Sequence, residues 1–224
     1  MKIQYQSKSL VILESSLFRT TSTIIIGKSY LLLVDPNWLP IEIEFIANLI
    51  EEIGNNKEKH LLFTHSDYDH IIGYGRFKDY HTIASQNFID NPNKENILSQ
   101  IRAFDDENYI HRDYDIVYPE IKTGISGHSQ ALRIGSDEHL FWQAKGHNKD
   151  GLITLHKTKG VLAVGDYLSN IEFPYIYDSL KNYRDTLNNL EQIINTENIK
   201  FLISGHGDFT SDKEEMTLRI KESR

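Results

Sequence analysis

A chain of 224 residues with 39% hydrophobic and 25% charged residues has the composition of a soluble globular protein, long enough to bury a core without covalent staples. It contains no cysteine, which excludes disulfides, thiolate metal ligands and a cysteine nucleophile and accords with a reducing compartment. A net charge of −8 and a pI near 5.7 argue against a nucleic-acid partner, because such a surface repels polyphosphate.

The N-terminal MKIQYQSKSLVILESS carries polar residues within its apolar stretch and no small-residue cleavage site, and it reads as a strand rather than a signal peptide. No apolar run approaches the roughly 18 residues of a membrane helix, so the expectation is a cytoplasmic protein with no membrane partner. LVILES, TSTIIIG and SYLLLVDP are short apolar, β-branched-rich runs, separated by polar or Gly breaks, that predict strands. LPIEIEFIANLIEEIGNN predicts a helix with Phe45, Ile46, Leu49, Ile50 and Ile53 on one face, ended by Gly54-Asn55. KHLLFTH predicts a buried strand with His65 at its C-terminal end, and YHTIAS the next strand.

Residues from about 86 to 126 are polar with scattered aromatics and read as a partly helical insertion within a single domain spanning 1–224. QALRIG, EHLFWQAKG, GLITLHKT and GVLAVGD predict further strands. A long helix follows, with Leu180, Tyr183, Leu187, Leu190 and Ile194 at helical spacing; IKFLISGHGD then gives a strand that stops at His206, and a charged helix closes the chain. Asn, Ile and Lys are abundant, a bias that by itself says little about function.

Several of these strands end in a polar cluster: LLLVDP, LLFTHSDYDH, WQAKGHNKD, VLAVGD and FLISGHGD. Strand ends hold side chains rigidly beside accessible loops, where α/β proteins build sites. The clusters contain His65, Asp67, Asp69, His70, His147, Asp166 and His206. On a tight loop, THSDYDH can split into two groups, His65 with Asp67 and Asp69 with His70, an arrangement suited to two metals side by side. Imidazole with carboxylate suits zinc, iron or manganese. Read alone, the same stretch is equally a polar loop in which Asp67 or Asp69 caps a helix starting near His70.

The ordered set resembles the metallo-β-lactamase superfamily, whose first motif is H-x-H-x-D-H; here it stands as His65-Ser66-Asp67-Tyr68-Asp69-His70. His147 in AKGHNKDG, Asp166 in VLAVGDYL and His206 in ISGHGD match the later family ligands in order and spacing, and Asp35 in LLLVDP matches an acidic residue after an early strand. The resemblance covers nearly the whole chain and implies an α/β fold, a four-layer αββα sandwich with two divalent ions at one edge. It implies that His65, Asp67 and His147 hold the first ion, that Asp69, His70 and His206 hold the second, and that Asp166 bridges. It further implies a metal-bound hydroxide as nucleophile, oriented by Asp69, with zinc the first expectation and iron or manganese the alternatives. Asp35 is expected to accept a hydrogen bond behind a ligand. Asp208 is read as an outer partner of the site or a turn former.

Asp67 departs from the family histidine. That histidine binds through Nδ1, and Nδ1 and an aspartate Oδ both lie two bonds past Cβ, so the reach is nearly equal. The extra carboxylate should weaken the ions as Lewis acids and favour harder metals. If Asp67 instead bonds locally, the centre is mononuclear.

The expected function is a hydrolase of a small-molecule ester, thioester or lactone. A diiron redox or oxygen-handling protein of the same fold, a non-catalytic binding module and a phosphodiesterase are the other readings. Residues 86–126 are expected to set selectivity as a lid or a dimer contact, and a homodimer is left open. Tyr175, Tyr177 and Lys149 are the candidate substrate-lining residues, with packing the first expectation for the tyrosines and solvation for the lysine. His60, His81, His111, His128, His139 and His156 are read as surface or structural.

Overall fold

A computed structural model describes residues 1–54 and 56–224. Strands β1 (Lys2–Gln6), β2 (Leu10–Glu14), β3 (Thr21–Ile26), β4 (Tyr30–Val34), β5 (Glu58–Leu62), β6 (His81–Ser85) and β7 (Thr123–Ile125) lie side by side in chain order. Pairing is antiparallel as far as β4 and parallel beyond it. A second sheet runs in the order β12 (Phe201–Ile203), β11 (Val161–Ala163), β10 (Gly151–His156), β9 (Asp137–Ala144), β8 (Ser129–Ile134).

The central strands are apolar on both faces, so both faces must be covered. Leu10, Ile12, Tyr30, Leu32 and Val34 meet Phe141, Leu152, Val161 and Ile203 of the second sheet. The alternate residues Val11, Leu13, Leu31 and Leu33 face outward onto helix α1 (Pro40–Gly54). Between β5 and β7 the chain forms the one-turn helices α2 (Tyr68–Ile71) and α3 (Gln86–Ile89) and the longer α4 (Lys94–Glu107). Ile97, Leu98 and Ile101 of α4 join the layer built on α1. Helices α5 (Leu180–Thr196) and α6 (Lys213–Glu222) cover the outer face of the second sheet through Tyr183, Leu187, Leu190, Met216 and Ile220. The result is the four-layer αββα sandwich. Among the described residues no helix is long and apolar enough to cross a membrane.

Several expectations are corrected. The N-terminal stretch is two strands, because Ser7 Oγ accepts from the backbone N–H of Ser9 and Leu10 and turns the chain between them. Helix α1 buries Ile43, Ile46, Ala47 and Ile50, whereas Phe45 is 39% exposed. The sheet lies on the 43–46–50 side, which turns Phe45 outward. The helix does end at Gly54, while Asn55 lies outside the described residues. Leu180 opens α5 above the Ser179 cap and is exposed. The 86–126 stretch holds α3 and α4, and its last residues form β7, a parallel edge strand of the first sheet. Its return path is pinned by a buried bidentate pair, Arg112 Nε to Asp105 Oδ2 at 2.7 Å and Nη2 to Oδ1 at 2.9 Å.

His139 and His156 are structural. Tyr30 Oη donates to Asp137 Oδ2 at 3.0 Å and accepts from Nε2 of His156 at 3.0 Å and of His139 at 3.1 Å. Burial, with help from His156, presses His139 down to about 3. A histidine kept neutral in the fold stabilises it fully above its unfolded value of about 6.5, and that contribution is lost as pH falls toward 3. Tyr30→Phe takes a partner from two buried histidines and a half-buried carboxylate and is expected to lower stability at neutral pH by about 2–4 kcal/mol, read as a shift of the urea midpoint. A midpoint unchanged in Tyr30→Phe would show that the hub contributes nothing.

Candidate metal centre

The loops after β4, β5, β9, β11 and β12 open at one end of the sandwich and carry Asp35, the His65–His70 run, His147, Asp166 and His206 respectively. The β5 loop is held from both sides. Thr64 donates from its backbone N–H to Asp35 Oδ1 at 2.8 Å and from Oγ1 to Asp35 Oδ2 at 2.5 Å. Ser66 Oγ donates to the buried Asp150 Oδ2 at 2.5 Å. Asp67 occupies the N-cap position of α2, yet its side chain makes no cap bond. It accepts instead from His147 Nε2 at 3.0 Å and Asn148 Nδ2 at 3.3 Å. The capping reading of Asp67 is therefore corrected: its carboxylate faces the other clusters, not its own helix.

All seven candidate side chains converge. His65, Asp67, His147 and Asp166 form one group, and Asp69, His70 and His206 another, each with ligand atoms within 4.8 Å of one another. Asp166 joins them: its Oδ1 lies 3.1 Å from His70 Nε2, and its Oδ2 lies 3.4 Å from His147 Nε2 and 3.5 Å from Nε2 of both His65 and His206. Asp69 Oδ2 lies 3.3 Å from His206 Nε2 and 3.6 Å from His70 Nε2. Gly205 permits this crowding, since a Cβ there would stand 2.1 Å from Asp166 Oδ1.

Each ring is oriented from behind through Nδ1. His70 Nδ1 meets Asp35 Oδ2 at 3.0 Å, His147 Nδ1 the carbonyl of Tyr175 at 2.8 Å, His206 Nδ1 the carbonyl of Phe18 at 2.9 Å, and His65 Nδ1 the Oγ1 of Thr64 at 3.0 Å. Thr64 Oγ1 gives its own proton to Asp35, so it accepts from His65. Acceptors on every Nδ1 aim every Nε2 inward, where the Nε2 of His147 donates to Asp67. Asp35 thus sits behind a ligand candidate as expected, and buried.

The interior of this cluster therefore presents ring nitrogens and carboxylates that the protein satisfies only in part. His65 Nε2, His70 Nε2 and Asp166 Oδ1 are buried without a hydrogen-bond partner. Such a set fits cations, and protons otherwise take that place. Burial and His70 act to lower His65, but the Asp166 and Asp67 carboxylates outweigh them and push it up to about 10. Burial likewise opposes the charge on His206, and Asp166 and Asp69 push it up to about 12. Asp67 is held well below the carboxylate range; burial opposes this, and His65 and His147 overcome it. Ion binding must then displace protons. Calorimetric titration of zinc into metal-free protein at pH 7, repeated in buffers of different ionisation enthalpy, is expected to report release of about two or more protons per chain, with affinity rising with pH. Proton-neutral binding would contradict this account.

The remaining expectations resolve differently. Asp208 pairs with Arg19 and accepts from Asn170 Nδ2 at 3.0 Å, outside the clusters. Tyr175 and Tyr177 do not pack inward: they are 55% and 69% exposed and stack on each other, with the Tyr177 ring 5.5 Å from that of His147. Lys149 lines a groove beside Asp67. Two acidic residues escape sequence reasoning. Asp150 anchors Ser66 and Asn91, but NKDG reads as an ordinary turn. Glu172 Oε1 lies 3.4 Å from His206 Nδ1 and forms a third acidic grouping with Asp166; it stands in a loop with no motif spacing to mark it.

No protein-family model and no curated protein matches the sequence. Solved structures do match, over nearly the full length. A metallo-β-lactamase from Pontibacter korlensis aligns with a TM-score of 0.66 at 13% identity, covering 98% of this chain and 97% of that one. A metallo-β-lactamase family protein from Thermus thermophilus aligns at 0.69 and 18% identity, covering 96% and 78%. A B3 metallo-β-lactamase aligns at 0.69 and 14% identity, covering 93% and 96%.

Proposed function

We propose, proceeding from the metallo-β-lactamase fold of this chain, that the protein is a metal-dependent hydrolase cleaving an ester, thioester or lactone of a small molecule. The observation that carries this reading is the inward set of four imidazole Nε2 atoms and the carboxylates of Asp67, Asp69 and Asp166, in which His65 Nε2, His70 Nε2 and Asp166 Oδ1 are buried without a protein partner. His65, Asp67 and His147 would hold one divalent ion and Asp69, His70 and His206 a second, with Asp166 shared. When bound, such ions polarise a substrate oxygen and lower the pKa of water to about 7.

The protein's own groups do the rest. Asp35, Thr64 and the carbonyls of Phe18 and Tyr175 hold the four rings by their outer nitrogens, so the inner nitrogens need not reorganise during reaction. Asp69 is buried, and despite that burial His70 and His206 keep it ionised. Its Oδ2 is thereby available to orient an attacking water and take its proton. A diiron redox protein is the second reading, favoured by the carboxylate at Asp67, which suits harder ions than a histidine would.

The test is metal content after growth without supplement, followed by assays on ester, thioester, lactone and phosphodiester substrates before and after chelation. Cleavage of one of the first three that vanishes with chelator and returns with zinc supports the proposal. Two irons with a visible absorption band and no cleavage would replace it with the redox reading. Phosphodiester cleavage alone would make the protein a phosphodiesterase, and absence of both metal and activity would make it a binding module.

A further inference from the structure

A groove of about 740 Å³ opens beside Asp67 and runs from Tyr68 and Tyr177 to the face of α4. Its lining is unusual. Ligand pockets usually carry only a few polar groups; this lining holds seven carboxamides beside the charged Asp67, Asp90, Lys145, Lys149, Asp150 and Asp178. Six of the chain's sixteen asparagines border this one groove. Asn93, at the N-cap of α4, and Asn96 and Gln100 within it recur at helical spacing along the wall, and the charged residues of that helix, Lys94, Glu95, Arg102, Asp105, Asp106 and Glu107, do not line it. An ordinary solvated helix face is built from such charges, so an uncharged carboxamide row is a selective surface. Asn87, Asn91, Asn148 and Asn182 spend their amide protons on the protein. The side chains of Asn93, Asn96 and Gln100 bond to nothing among the described residues.

A carboxamide offers donors and an acceptor together. Its complement is a group that also donates and accepts at one position, which is the hydroxyl. An alkyl chain lying against this wall would bury amides without partners, whereas a polyol would pair with them. Tyr68 and Tyr177 add flat apolar faces at the end nearest Asp67, the surface against which the C–H face of a sugar ring packs. We infer that the groove binds a polyhydroxylated group, and that the substrate of the neighbouring centre is a sugar ester or sugar lactone. The second half of this inference rests on the hydrolase reading; the first half does not.

The test uses two acetate esters that differ only in the alcohol, 6-O-acetylglucose and hexyl acetate, with the metal-loaded protein. Glucose and hexan-1-ol serve as non-reacting probes of the metal-free protein by saturation-transfer NMR. The sugar ester is expected to be cleaved with kcat/KM at least about tenfold above the alkyl ester. Asn96→Ala with Gln100→Ala, both at exposed positions, is expected to lower the sugar ester's kcat/KM about tenfold, through KM, and to leave hexyl acetate unchanged. Glucose is expected to receive saturation from the metal-free protein and to receive none from the double variant. An alkyl preference, or equal loss for both esters in the double variant, would overturn the inference. Should no ester be cleaved, glucose binding that depends on Asn96 and Gln100 keeps the groove assignment and sinks only the hydrolase reading; hexanol binding in place of glucose sinks the groove assignment.

Discussion

Asn in place of Asp166 is expected to strip metal from both clusters and to lower hydrolysis by at least about 10³-fold, beyond the roughly 10–100-fold that loss of an outer partner such as Asp35 would bring. The change is nearly isosteric, so it isolates charge and donor pattern from shape. Asp166 alone lies within 3.5 Å of the inward nitrogen of all four histidines. An amide there removes the shared charge and aims N–H groups at positions the ions need. The metal-free protein gives an independent readout. Asp166 is the largest influence holding the proton on His206, acting against burial. Without it Asp69 is left to oppose burial, and the His206 pKa must fall from about 12. Histidine titration by NMR would show this whether or not an activity has been found. Asp166→Asn that retained two ions per chain, with His206 still titrating high, would remove Asp166 from the centre of the site.

The site was legible because its residues lie at strand ends in a fixed order, and strand ends are dictated locally. SYLLLVDP and FLISGHGD declare a buried strand and its terminus by apolar runs followed by polar residues, whatever else the chain does. Features set by the partner surface were not legible. Phe45 and Ile43 are equally apolar, and only the position of the sheet makes one core and the other surface. Strand β7 has three residues, one of them glycine, too few for a period to register. Asp150, Glu172 and the groove are products of tertiary convergence. Asparagines spread between positions 87 and 182 look like a compositional habit until α4, the β9–β10 loop and α5 bring them to one wall.

Asp67→Ala is expected to lose about one metal per chain, and Asp67→His to keep two while shifting preference toward zinc. The equal reach of aspartate and histidine at this position has a geometric basis in the fold. Asp67 Oδ2 lies 3.0 Å from His147 Nε2 and 3.6 Å from His65 Nε2, so the carboxylate already occupies the third corner of the first cluster. Its side chain is also the most open of the clustered carboxylates, 30% exposed against 10% for Asp166 and 11% for Asp69. The first cluster therefore faces the groove at this residue. Histidine there would exchange a carboxylate for a neutral donor and strengthen the ions as Lewis acids. The acid limb of the pH–rate profile should then move to lower pH, because water beside a less neutralised pair of ions gives up its proton more readily. Asn148 would lose the acceptor it now has in Asp67 Oδ1, so some loss of substrate affinity should accompany the gain. Metal analysis of the two variants, with zinc and iron in competition, separates the outcomes. Unchanged metal content in Asp67→Ala would leave the carboxylate as a polar group of the groove and reduce the first cluster to His65, His147 and Asp166.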